Sequence, residues 1–184
     1  MNMSPDLFFW VLSRVTGLAS FASLAIAIVT GVALRTALFD WLSSNRAIRG
    51  THEFTTILWI PLGLLHVATI VLDQTARITL LDLFVPFVNG YYHDYALLAI
   101  GLGAISFDLF IVVTITSWLR SRMNPHAWRW IHRLSYLAFG VLFFHALLGG
   151  SDFSAPVVSA IAWSAAFAIG IMSLARLLWG RLPA

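Results

Sequence analysis

Residues 128–145 read WRWIHRLSYLAFGVLFFH. This apolar stretch holds two histidines, His132 and His145, 13 residues apart, and an earlier apolar stretch holds His52 and His66, 14 residues apart. Polar ring nitrogens are costly inside a lipid-embedded segment unless they have partners. The two histidine pairs therefore indicate both the class of fold and the place of a functional site.

The composition is that of a membrane protein. Of the 184 residues, 60% are hydrophobic and 10% are charged, and the mean hydropathy is +0.87, which excludes an ordinary soluble domain. The length suits one compact helical bundle, so we expect a single domain over residues 1–184. The sequence has no cysteine, which excludes disulfides, thiolate metal sites, iron–sulfur clusters and covalently attached heme.

Five segments are long enough to cross about 30 Å of hydrocarbon, which takes roughly 20 helical residues. We predict an all-α bundle of five transmembrane helices near 7–36, 52–73, 93–118, 129–149 and 155–178. Because the start of the chain has no basic region and no small-residue cleavage site, we expect the first segment to be retained. Residues 79–88 are too short to span the membrane and predict a stretch that lies in the outer interface.

The arginines predict the topology. All eleven basic residues are arginine, and most of them lie in or next to the first and third connections and the C-terminal tail. The positive-inside rule places this side in the cytoplasm, with the N-terminus outside and the C-terminus inside. This explains the basic pI better than nucleic-acid binding does. We expect a multi-pass protein of the bacterial inner membrane, surrounded by lipid and without a nucleic-acid partner.

This topology makes segments two and four parallel and matches the histidines by depth. His52 and His132 fall within the first few residues of their segments, on the cytoplasmic side, and His66 and His145 fall about two-thirds of the way across. Along a helix, 14 residues rise about 21 Å and 13 residues about 19.5 Å. The spacing fits two stacked hemes, each held between two imidazoles.

Two other uses of the histidines stay open. Histidines in membranes also act as hydrogen-bond donors between helices or as proton relays. A zinc or copper ion needs ligands within one shell, about 2 Å from the ion. Histidine pairs about 20 Å apart do not provide such a shell.

The 13-residue spacing between His132 and His145 leaves an angular offset of about 140° around the helix. We therefore expect segment four to bend, tighten or cross between partners near Gly140, and segment two to kink at Pro61.

The chain resembles the ferric reductase-like transmembrane family, which includes the membrane cores of NADPH oxidases and metalloreductases and the heme subunit of the bacterial methionine sulfoxide reductase system. The resemblance covers almost the whole chain. Its most specific part is the run of Trp, His-Arg-Leu-Ser-Tyr and His within residues 128–145. The other matching residues are Arg14-Val-Thr-Gly17-Leu-Ala, His52 through Leu65-His66, and Thr116-Ser117. A departure is Glu53-Phe54-Thr55-Thr56 after His52, where the family often has a glycine.

The resemblance implies a set of cofactor-binding residues for two hemes b. His52 and His132 would ligate the inner heme iron, and His66 and His145 would ligate the outer heme iron. Arg14 would pair with a propionate of the outer heme, although snorkelling to the interface is the alternative.

Two further charged residues are candidates for roles beside the hemes. Arg133 borders the inner heme and is a candidate for its propionates, with a plain positive-inside anchor as the alternative. Asp108, near the middle of segment three, is either a hydrogen-bonded carboxyl or part of a proton path toward a quinone.

These features together predict a heme b electron-transfer subunit of an oxidoreductase system. Two axial imidazoles leave no open position on iron, which favours electron transfer over substrate binding. The 184 residues contain no Gly-x-Gly-x-x-Gly fingerprint, so we expect a separate donor. This donor is a cytoplasmic flavin reductase carrying FMN or FAD, or the membrane quinol. The acceptor is a periplasmic redox protein or a small acceptor. The alternatives are a stand-alone ferric-chelate or oxygen reductase, and a heme-free transporter or scaffold.

We predict that His66→Ala or His145→Ala loses one heme and retains the other, because each substitution removes one axial ligand of the outer iron alone. Heme quantified per chain in purified protein measures this. Loss of both hemes, or of neither, would contradict the assignment of ligands.

Overall fold

The computed structural model describes residues 5–36, 44–74, 76–88 and 95–179. The five long helices are α1 (Pro5–Ala33), α2 (Asn45–Leu72), α3 (Ala96–Trp118), α4 (Pro125–Gly149) and α5 (Pro156–Trp179). All five are long and apolar enough to cross a membrane, and the described residues contain no β-strand. The prediction of an all-α fold with five helices long and apolar enough to span a membrane is thus confirmed for the described residues, while the orientation and the hemes stay predictions.

The second helix begins earlier than its apolar segment does. α2 begins at Asn45 rather than near residue 52. The side chain of Ser44 caps it, because Ser44 Oγ accepts a hydrogen bond from the backbone N–H of Ala47 at 3.3 Å. A serine N-cap satisfies a backbone donor that has no partner within the helix, so the cap rather than the apolar content fixes the start. The helix then runs through Pro61 to Leu72.

The fourth helix also begins early, at Pro125 rather than near residue 129. Asn124 is the N-cap, and its Oδ1 accepts from the backbone N–H of His126 at 2.8 Å and of Ala127 at 3.4 Å. Proline suits the first helical position because it lacks the N–H that would be unpaired there. The early starts change the expected positions of two histidines along their helices. His52 and His132 are each the eighth residue of a helix and do not lie at its start.

The chain divides into two compact units, residues 1–77 with 160–184 and residues 78–159. In the first unit α1 packs against α2, and in the second unit α3 packs against α4. In both units the chain reverses direction between the two packed helices, so each pair is an antiparallel hairpin. That residues 1–184 form a single domain stays a prediction.

Small and polar side chains line the face of α1 that packs on α2. Ser13, Thr16, Ser20 and Ser23 recur at intervals of three or four residues and are all buried. Ser23 Oγ donates a hydrogen bond to the carbonyl of Thr55 on α2 at 2.8 Å. Small residues let membrane helices approach closely, and the cross-helix bond satisfies a hydroxyl that lipid could not.

The connection before α3 carries a short 3-10 turn, Leu80–Leu83, that packs on α3. Thr79 is the N-cap residue of this turn, and the buried Asp82 carboxylate reaches back to it, since Oδ2 accepts from the N–H and Oγ1 of Thr79 at 2.8 and 2.7 Å. Most apolar side chains of this segment are exposed: Leu80, Leu81, Phe84, Val85, Phe87 and Val88. Its expected place in the outer membrane interface stays a prediction.

Phe87 packs this segment against α3. Its φ is 65°, a left-handed conformation that costs a bulky residue roughly 1–3 kcal/mol. Its ring lies against Gly101, where an added Cβ would overlap the ring. Phe84 contacts Phe107 at a ring-centroid distance of 6.3 Å. The absence of a side chain at residue 101 therefore lets the segment pack on α3.

We predict that Gly101→Ala lowers the free energy of unfolding by about 1–3 kcal/mol, the usual cost of overpacking, because the Phe87 ring must leave. Unfolding of the purified protein in detergent measures the change. Gly140→Ala is the control, since an added Cβ there meets nothing within 4 Å. Phe87→Ala should remove most of the effect in a double variant, and strict additivity would contradict this packing.

Candidate functional site

His66 is held by the backbone of α1. Its Nδ1 is 2.8 Å from the carbonyl oxygen of Ser13. A carbonyl oxygen can only accept a hydrogen bond, so Nδ1 carries the proton and the neutral ring has its lone pair on Nε2. A Cβ added to Gly17 would lie 2.9 Å from both Nδ1 and Cε1 of His66. The His66 ring can therefore occupy this position because residue 17 has no side chain.

His52 is held in the same way at the other end of α1. Its Nδ1 is 2.7 Å from the carbonyl oxygen of Ala27, and the Thr30 hydroxyl oxygen is 3.5 Å from the same nitrogen. A Cβ added to Gly31 would lie 3.0 Å from His52 Cε1. As with His66, the carbonyl comes four residues before the glycine, and the lone pair is on Nε2.

His145 repeats this arrangement on α3. Its Nδ1 is 2.7 Å from the carbonyl oxygen of Ala99. A Cβ added to Gly103 would lie 2.7 Å from Nδ1 and 2.8 Å from Cε1. We call the arrangement, a carbonyl that accepts from Nδ1 and a glycine four residues later, a carbonyl seat. Three of the four predicted ligands thus occupy carbonyl seats.

His132 occupies a different seat. Its Nδ1 is 3.3 Å from the Ser117 hydroxyl oxygen, an arrangement that we call the hydroxyl seat. Ser117 lies 14 residues after Gly103, just as Gly31 lies 14 residues after Gly17, so serine stands where the other seats have glycine. The indole of Trp128 stacks on His132 at a centroid distance of 5.1 Å and an interplanar angle of 24°.

α4 contacts α3 through a wide face, which accommodates the angular offset of about 140° between His132 and His145. α4 continues as an α-helix through Gly140, and its neighbouring residues Ala138 and Phe139 are both buried. Seven residues return to within about 20° of the same direction, so His132 is in line with Phe139 and His145 with Ala138. Each histidine thus lies at one edge of a face two residues wide, and both contact α3.

The two arginines predicted to bind propionates each lie over a tryptophan. The guanidinium of Arg14 is 4.2 Å from the ring centroid of Trp10, and that of Arg133 is 4.7 Å from that of Trp130. Arg14 directly follows the carbonyl-seat residue Ser13, and Arg133 directly follows His132. Cation–π contact thus holds each guanidinium over a tryptophan about one turn earlier in its own helix. That they bind propionates stays a prediction.

The remaining polar candidates are not part of the seats. Asp108 is half-buried and lies about 140° around α3 from Gly103, so it is on another face of the helix. His126 is exposed, and its Nε2 accepts from Trp130 Nε1 at 3.3 Å. No three His, Cys, Asp or Glu side chains in the described part of the chain come together as a metal site.

Sequence reasoning missed the role of the glycines. Gly17 belongs to the motif that resembles the family, but no function was assigned to it, and Gly31 and Gly103 were not singled out. Their signal is present in the sequence, because 14 residues separate Gly17 from Gly31 on α1 and His52 from His66 on α2. Matching spacings on consecutive helices predict matched contacts in an antiparallel pair.

We predict that alanine at the carbonyl-seat glycines displaces the histidine rings and destabilises the protein by about 1–3 kcal/mol each. The order Gly103→Ala, Gly17→Ala, Gly31→Ala, from largest to smallest effect, follows the closest approach of the added Cβ, 2.7, 2.9 and 3.0 Å. Unfolding of purified protein in detergent measures it.

The matched control for these variants is Gly170→Ala, where the added Cβ meets nothing within 4 Å. There, alanine should stabilise the helix by roughly 0.5–1 kcal/mol. Equal effects at Gly170 and Gly103 would show that the close approach of the histidine rings does not matter.

Comparison with protein-family models, with curated proteins and with solved structures finds no match to the chain. The resemblance to the ferric reductase-like family therefore depends on the sequence motifs quoted above. The function of the four seats is inferred from their own geometry.

Proposed function

We propose that the chain is a transmembrane electron carrier that holds two hemes b, each between two imidazoles. The observation that supports this is the position of Nδ1 in His52, His66 and His145, 2.7–2.8 Å from backbone carbonyl oxygens, which favours the tautomer with the proton on Nδ1. Histidines that bind a metal through one nitrogen almost always donate the other N–H to a carbonyl, a carboxylate or water. The rings are thus held as metal ligands are held, with the Nε2 lone pair as the coordinating group.

The proposed pairing is His52 with His132 on the inner iron and His66 with His145 on the outer iron. It is supported by position along the helices. His52 and His132 are each the eighth residue of a helix, and the second histidines follow 14 and 13 residues later, a rise of about 20 Å. Heme needs only two protein ligands per iron, because the porphyrin supplies four nitrogens. Single imidazoles far apart along each helix suit that need.

The polar groups near the seats fit the carboxylates of a heme. A propionate in a membrane protein needs cations or strong hydrogen-bond donors. Arg14 and Arg133 supply the cations. Trp128 adds a donor, since its Nε1 is buried and has no hydrogen-bond partner within the described residues. We propose these three residues as the ones that hold the propionates.

The bound heme supplies reversible one-electron chemistry. The chain's own residues have three tasks. The carbonyl seats fix the tautomer of the imidazoles and raise their basicity. The four histidines would hold the two irons, and two imidazoles on each iron would leave no position for oxygen or substrate. The apolar helices keep water from the ring nitrogens.

The direction of electron flow that we propose follows from the arginines. With the arginine-rich connections in the cytoplasm of a bacterial cell, electrons would enter on the side of His52 and His132, from a flavin reductase carrying FMN or FAD or from quinol. They would leave on the side of His66 and His145, to a periplasmic redox protein or a small acceptor. A stand-alone ferric-chelate or oxygen reductase is the second candidate and would require reduction of such an acceptor without a partner protein.

A heme-free scaffold is the third candidate, and the hydrogen bonds themselves support it. The bonds from His52 and His66 to α1 tie two helices together whether or not a metal is bound. Histidines do act as such ties in membranes. Only the presence of the cofactor separates this candidate from the first.

We predict two hemes per chain and b-type Soret and alpha bands after dithionite reduction of the purified protein. Both hemes require their histidines, so His52→Ala or His132→Ala should lose the inner heme alone. His126→Ala is the matched control, since His126 lies exposed on α4 and pairs with Trp130, and it should retain both hemes. Absence of the b-type bands would eliminate the electron-carrier function in favour of the scaffold.

A further inference from the structure

One of the four ligand histidines has a different hydrogen-bond partner. The Nδ1 atoms of three lie 2.7–2.8 Å from backbone carbonyl oxygens. His132 Nδ1 lies 3.3 Å from the Ser117 hydroxyl oxygen instead. Ser117 takes the position on α3 that Gly31 takes on α1, 14 residues after the preceding seat glycine. Serine therefore replaces glycine at one of four equivalent positions in a repeated arrangement.

The partner of Nδ1 changes the electronic character of the ligand. A carbonyl at 2.7 Å is a strong acceptor and makes the imidazole that donates to it more basic. A hydroxyl at 3.3 Å lies beyond the usual range for hydrogen bonds, 2.7–3.2 Å with an N–H donor, and polarises the ring less. A less basic axial ligand stabilises ferric iron less, which raises the midpoint potential of the heme.

The His132 ring also makes a stacking contact. Trp128, one turn earlier on the same helix, stacks on it at 5.1 Å. Ser117, the last residue but one of α3, makes the contact at Nδ1. The hydroxyl seat thus combines stacking on the ring with an Nδ1 contact of 3.3 Å, longer than the 2.7–2.8 Å contacts of the carbonyl seats.

We propose that Ser117 is a positioning residue that acts through His132 and separates the midpoint potentials of the two hemes. It holds the heme ligated by His132 at a higher potential than a carbonyl seat at the same place would. This inference rests on the proposed electron-carrier function, and it adds a built-in difference between the two redox centres.

Redox titration of the full chain, followed at the heme absorbance bands, tests the proposal with three substitutions of Ser117. Ser117→Gly restores glycine at the fourth seat, so that His132 Nδ1 can meet a backbone carbonyl as in the other three seats, and one of the two potentials should fall. Ser117→Ala removes the acceptor, so the same potential should rise. Each shift should change the ratio of reduced to oxidised heme about fivefold at fixed ambient potential, the effect of one ordinary hydrogen bond. Ser117→Thr keeps the hydroxyl and should restore the wild-type value.

Thr116→Ala is the control next to Ser117. The Thr116 hydroxyl donates within its own helix, to the Val112 carbonyl at 2.7 Å and to the Val113 carbonyl at 3.2 Å, so its loss should move neither potential. The His66→Ala background, which retains only the His132 heme, assigns the shift to that heme. A residue that merely fills space would not give opposite shifts with glycine and alanine.

The outcomes separate this inference from the function on which it rests. If wild-type protein binds no heme, the electron-carrier function fails. If heme is bound and the Ser117 variants leave both potentials unchanged, or if glycine and alanine shift the same potential in the same direction, the inference fails while the function stands. Should Ser117→Gly lose its heme, the rise with alanine and the recovery with threonine still decide the matter.

Discussion

A ring nitrogen placed between membrane helices must find a hydrogen-bond partner within the protein, because lipid offers none. That requirement fixes the pairing of α1 with α2. His66 Nδ1 meets the Ser13 carbonyl and His52 Nδ1 meets the Ala27 carbonyl, so the register is set at two levels. The bond from Ser23 to the Thr55 carbonyl sets it again between them. Helices with little apolar patterning to distinguish their faces are thus aligned by a few polar contacts.

The same bonds link the fold to the proposed chemistry. A bond from Nδ1 to a carbonyl aligns two helices, and it also determines which nitrogen of the ring keeps a lone pair. The alignment of the helices and the position of the lone pair on Nε2 therefore depend on the same hydrogen bond in residues such as His145. A substitution that loosens the seat of His145 should affect both, since the Gly103 backbone lies directly against its ring.

Hydropathy and length were sufficient to predict five helices, because crossing a membrane requires a long apolar segment. They did not locate the helix starts, which depend on the caps Ser44 and Asn124 and lie outside the apolar segments. The sequence also identified the histidines but not their partners. A backbone carbonyl such as that of Ala27 has no side-chain signature, and only the helix pairing shows which carbonyl faces the ring. The phase of α4 required knowing that Ala138 and Phe139 are both buried.

The repeated seats also determine how each one can change by substitution. The α1–α2 and α3–α4 hairpins carry the same arrangement, with Gly17 and Gly31 in one and Gly103 and Ser117 in the other, each pair 14 residues apart. In a symmetric homodimer of one hairpin, every substitution would occur twice. Here both hairpins belong to one chain, so serine at residue 117 alters one seat and leaves the other three as they are.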